Sequence, residues 1–88
     1  MLKQKIVIIG STGMLGSQIT RYFYKTNKYH LTCIARDEKK FHLLKLKKNN
    51  FLSLNICDLN NFKDLQKIIQ TIQPDYIINC VGMVKQIM

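Results

Sequence analysis

The stretch IVIIGSTGMLGSQI, residues 6–19, constrains this chain more than any other. Four branched apolar residues run directly into three glycines spaced three apart, Gly10, Gly13 and Gly16. A short, continuous β-branched run bounded by glycine is the pattern of a strand buried on both faces. After the glycines, Leu15, Ile19, Tyr22, Phe23 and Thr26 fall on one helical stripe, and Asn27 with Lys28 suits its C-terminal end. A glycine-rich turn between strand and helix lets the backbone take positive φ and lets a phosphate approach without meeting a Cβ. The free N–H groups and dipole of the helix start then attract the negative charge. The spacing is GxxGxxG rather than the commoner GxGxxG, so its strand–turn–helix context carries the phosphate-cradling reading. Gly16 also suits close packing of helix on sheet.

The same alternation continues along the chain. Lys5 to Ile9 reads as the first strand, His30 to Ala35 as the second, Phe51 to Ile56 as the third and Asp75 to Val81 as a buried fourth. Asn61 followed by Asp64 resembles a capping pair opening a helix with Phe62, Leu65, Ile68, Ile69 and Ile72 on its apolar face, ended before Pro74. The basic segment DEKKFHLLKLKKNN between the second and third strands admits a short helix lined by Phe41, Leu44 and Lys48, or a wandering connection, since Leu43 and Leu46 point elsewhere. Strands alternating with helices imply right-handed crossovers and a parallel sheet. The expected fold is α/β, a partial Rossmann-like doubly wound parallel sheet of four strands in order 3-2-1-4, with its ligand crevice at the carboxyl ends of the strands where the order reverses. With 88 residues and no linker or repeat, residues 1–88 form at most one domain.

In such a fold, the end of the second strand reads the adenosine ribose, with an acid for a free 2′-hydroxyl and an arginine for a 2′-phosphate. Both occur here, as Arg36 followed by Asp37. Arg36 comes first after the strand and can fork onto a phosphate, which favours NADP(H) over NAD(H); a solvated ion pair at a strand end is the bland alternative. The net charge of +9 raises a nucleic-acid reading, yet the lysines are spread along the chain without interleaved aromatic residues, as on a solvated basic surface. Cys33, Cys57 and Cys80 are odd in number and lack CxxC spacing, which points to small core residues rather than disulfides or a metal site. His30 and His42 have no ligand partner at useful spacing and read as surface or packing residues. With no apolar run near the ~20 residues of a membrane span and no signal-peptide pattern, a cytoplasmic location is expected.

Taken together, GSTGMLG after a strand, Arg36, CDLNN at 57–61 and PDYIINCVGMVKQ at 74–86 resemble the extended short-chain dehydrogenase/reductases, and among them the dTDP-4-dehydrorhamnose reductase-like branch that modifies nucleotide-linked sugars. The resemblance implies that Gly10, Gly13 and Gly16 hold a diphosphate with backbone contacts from Thr12, Met14 and Leu15, and that Ser11 and Arg36 sit near a 2′-phosphate. It implies that Asp58 and Leu59 meet the adenine, that Cys80, Val81 and Gly82 lie beside the nicotinamide ribose, and that Lys85 lies at the crevice mouth. The family's catalytic Tyr-x-x-x-Lys, in which lysine tunes a proton-exchanging tyrosine, has one match in spacing, Tyr24 to Lys28. Those residues end the first helix, away from the cofactor crevice, and are surface residues on this reading. The chain is therefore expected to be the N-terminal, NAD(P)-binding part of a nucleotide-sugar reductase or epimerase, stopping before the catalytic and substrate-binding regions and inactive alone. A noncatalytic dinucleotide-binding or scaffolding module is the alternative.

Overall fold

The computed structural model describes residues 3–47 and 51–81. The elements follow one another as β1 (Gln4–Ile9), α1 (Met14–Thr26), β2 (Tyr29–Ala35), α2 (Glu38–His42), β3 (Leu52–Ile56), α3 (Phe62–Ile72) and β4 (Tyr76–Asn79). All three strand pairings are parallel, and the sheet order is β3-β2-β1-β4. This is the expected partial Rossmann-like sheet, with β1 at its centre.

Period-two alternation splits the apolar run of β1 between two layers. Ile6 and Ile8, with Leu31 of β2, pack beneath Ile19 and Phe23 of α1. Their neighbours Val7 and Ile9, with Ile34 and Cys57, face the opposite layer, where Leu65, Ile68, Ile69 and Ile72 of α3 cover them. Because both faces of β1 and β2 are covered, Ile6 through Ile9 and Leu31 through Ala35 are all buried.

The helix ends follow from local chemistry. Asn61 Oδ1 accepts the Asp64 N–H at 3.2 Å while Asn61 Nδ2 donates to Asp64 Oδ2 at 2.9 Å, so the expected capping pair opens α3. Asn27 and Gln73 close α1 and α3 in the left-handed conformation, with φ of 54° and 51°. The basic segment resolves into a short helix. Asp37 caps α2 by accepting the Lys39 N–H at 2.8 Å, and Phe41 and Leu44 pack with Cys33, leaving Leu43 exposed. Lys48 lies outside the described residues.

Two expectations change. The fourth strand is shorter than 75–81 and is not buried: Tyr76 and Ile77 are 55% and 49% exposed. β4 pairs with β1 alone among the described strands, so its apolar residues lie on a sheet edge. Tyr22, placed on the apolar stripe by its spacing, is exposed and meets the edge of the Phe23 ring at a centroid distance of 5.2 Å. Among the described residues, no helix is long and apolar enough to cross a membrane.

Candidate functional site

Strand order places the ends of β3, β2, β1 and β4 side by side, so Asp58, Arg36, Gly10 and Cys80 follow one another along the carboxyl edge of the sheet. Between them opens a crevice of 340 Å³. Gly10, Thr12 and Gly13 form its floor, Arg36, Asp58 and Leu59 one end, and Cys80 and Val81 the other. Lys40 and Asn60 complete the lining and were not singled out from sequence. Lys40 comes from the third position of α2, the short helix that Asp37 opens directly after Arg36.

The glycine turn is built for close approach. Gly10 has φ +79°, and its N–H is tied to Ile34 O at 2.9 Å, which bends the chain out of β1. Gly13 is the N-cap of α1 and offers no side-chain cap, and the first intrahelical bond is Ser17 N–H to Gly13 O at 2.8 Å. The N–H groups of Met14, Leu15 and Gly16 therefore precede the helical ladder, without a side-chain cap and with no acidic residue in the first turn. A Cβ added to Gly13 would meet only Gly10 O, at 3.6 Å, so the space in front of these donors is open. A Cβ on Gly16 would collide with the Gly10 carbonyl, which confirms its packing role. Uncapped helix donors, an open glycine face and two cations on the lining fit a phosphate-bearing ligand.

Ser11 departs from its expected place. It is fully buried, its hydroxyl turned inward beside Cys33 without a hydrogen bond of normal geometry among the described residues, so the Ser11 oxygen does not line the crevice. The reversal at Gly10 directs the next side chain into the core. Gly82 and Lys85 lie outside the described residues. Tyr24 and Lys28 are at the far end of α1, where the Tyr24 hydroxyl donates to Lys47 O at 2.7 Å.

Asp58 Oδ1 accepts the Asn60 N–H at 3.0 Å, which fixes the turn after β3. Of the three thiols, Cys33 is fully buried and Cys57 nearly so, whereas Cys80 is half-buried, packed against the Ile6, Ile8 and Leu31 cluster while also lining the crevice wall. Burial pushes the Cys33 thiol from 9.0 up to about 12, against smaller opposing effects of the Thr20 and Ser11 hydroxyls. The folded chain then holds this proton at a pH where the unfolded chain has lost it, so stability is full below pH 9 and falls as pH rises from there toward 12. Urea melts across that range should show the decline, with a shallower slope in Cys33→Ala. A slope unchanged by the substitution would remove Cys33 as its cause.

Residues 6–88 match the model of the NAD-dependent epimerase/dehydratase family. The chain is also similar to a UDP-glucose 4-epimerase of Mycoplasma genitalium, with 26% identity over 77 residues. That match covers 88% of this chain and 23% of the epimerase, so the chain spans about a quarter of that relative's length.

Proposed function

The chain belongs to the NAD-dependent epimerase/dehydratase family, and from that premise we propose that it is the NADP(H)-preferring cofactor-binding portion of a reductase or epimerase acting on a nucleotide-linked sugar. The family binds NAD(P). The finer assignment, to the dTDP-4-dehydrorhamnose reductase-like branch, is supported by PDYIINCVGMVKQ and CDLNN. The epimerase similarity supports the same substrate class.

On this reading Gly10, Thr12 and Gly13, with the N–H groups of Met14, Leu15 and Gly16, hold the diphosphate. Arg36 and Lys40 take the adenosine 2′-phosphate, Asp58 and Leu59 flank the adenine, and Cys80 and Val81 wall the nicotinamide end. Bound there, the nicotinamide ring supplies reversible hydride transfer. The Tyr-x-x-x-Lys pair implied for proton exchange has no counterpart at this crevice among the described residues, and the sugar nucleotide is a substrate of a longer protein.

One observation carries the cofactor preference. Arg36 and Lys40 both line the crevice, while the neighbouring acid, Asp37, is engaged as the cap of α2 and is absent from the lining. A ribose 2′-hydroxyl would need that carboxylate; a 2′-phosphate needs the cations. Calorimetric titration should give tighter binding of NADPH than of NADH, and Arg36→Ala should weaken NADPH about tenfold with NADH little changed. Equal or tighter binding of NADH by the parent chain would overturn the preference.

A further inference from the structure

The pairing of β4 with β1 ends at the couple Ile9–Asn79. No further strand pairing follows it among the described residues, and among the described strands none lies on the outer side of β4. Two hydrogen bonds nevertheless hold the next residues in place. Cys80 N–H donates to Ile9 O at 2.8 Å, and Val81 N–H donates to the side-chain Oδ1 of Asn79 at 3.0 Å. The second bond closes a turn around Cys80 and sets Val81 against the glycine floor, where Val81 Cγ2 would be 3.0 Å from a Cβ on Gly10. Asn79 itself is exposed and does not line the crevice.

We propose that Asn79 is a positioning residue for the end of the crevice away from Arg36: its side-chain oxygen serves the Val81 N–H as a strand partner would and holds Cys80 and Val81 where the nicotinamide half of the cofactor lies. This rests on the dinucleotide reading above. The effect is confined to one half of the ligand, because Arg36, Lys40 and Asp58 stand on β2, α2 and the β3 turn and share no hydrogen bond with Asn79.

The test compares the parent chain with Asn79→Ala and with Asn79→Ser, which keeps an acceptor oxygen within reach of the same turn. Calorimetry with NADPH and with 2′,5′-ADP separates the two halves of the ligand. Asn79→Ala should weaken NADPH about fivefold and leave 2′,5′-ADP unchanged, with Asn79→Ser close to the parent. A parallel fall for both ligands, or no fall for NADPH, overturns the inference. Labelling of Cys80 by iodoacetamide, located by peptide mass, reads the turn without any cofactor and should accelerate in Asn79→Ala alone. If the parent binds neither ligand, the dinucleotide reading fails, and the labelling rates alone decide the positioning role: equal rates in all three chains overturn it.

Discussion

Replacing Gly16 by alanine should lower the melting temperature by more than 10 °C or abolish the folded state, as followed by circular dichroism. The added methyl would overlap Gly10 O and lie 2.8 Å from Gly10 C and 3.1 Å from Ser11 Cα. All three are backbone atoms at the bend where Gly10 and Ser11 bond to Ile34 O, so none can rotate aside as a side chain would. Relief requires α1 to move away from the sheet, which strips Ile19 and Phe23 from Ile6 and Ile8. Overpacking of this kind costs about 3 kcal/mol, a large share of the roughly 4–13 kcal/mol available to a domain of this size. A melting temperature within 5 °C of the parent would mean that α1 has slack against the sheet that its close approach denies.

At Gly13 the same chemistry predicts a split between folding and binding. Its φ of −71° and ψ of 176° are extended backbone open to any residue, and a Cβ there meets only Gly10 O at 3.6 Å. Aspartate is among the best N-cap residues and would accept from the uncapped N–H groups of the first turn, so Gly13→Asp should melt at or slightly above the parent temperature. Its carboxylate would occupy the donors offered to a diphosphate and repel the ligand's charge. NADPH affinity should fall about 100-fold or more, on the order of 3 kcal/mol, while Gly13→Asn, a neutral cap, should lose less. A Gly13→Asp chain that binds NADPH within tenfold of the parent would dissociate the turn from phosphate binding.

The central strands were legible because burial on both faces writes itself as unbroken branched runs, as in IVII and LTCIA. The amphipathic helix α3 and its Asn61–Asp64 cap were equally plain. β4 was harder, since YIIN reads as buried while its lack of a neighbour on one side is a property of the sheet. The site followed the same division. Gly10, Gly13 and Arg36 announce themselves by residue type around the strand-to-helix turn and the end of β2, and Asp58 through the resemblance that CDLNN carries, but Lys40 reaches the crevice from a five-residue helix that forms after Asp37. Ser11 shows the converse: a polar residue inside the glycine motif faces the core, because side-chain direction after a left-handed glycine is set by the bend and not by composition.

Ahead of the ladder that pairs β4 with β1, two further hydrogen bonds tie the start of β1 to the residue before β4, Lys5 N–H to Asp75 Oδ2 at 2.7 Å and Asp75 N–H to Lys5 O at 2.9 Å, across 70 residues of chain. The strand at the centre of the sheet is thus made first and completed last. During synthesis at about 5–20 residues per second, β1 waits some 4–14 s for β4, with one edge of IVII open to whatever extended segment it meets. β2 closes the other edge much earlier, after a connection of only one helix. The chain should therefore pass through a β1–α1–β2 stage whose free edge is the most association-prone surface it displays, making the interval before β4 emerges the time when protection by a chaperone matters most.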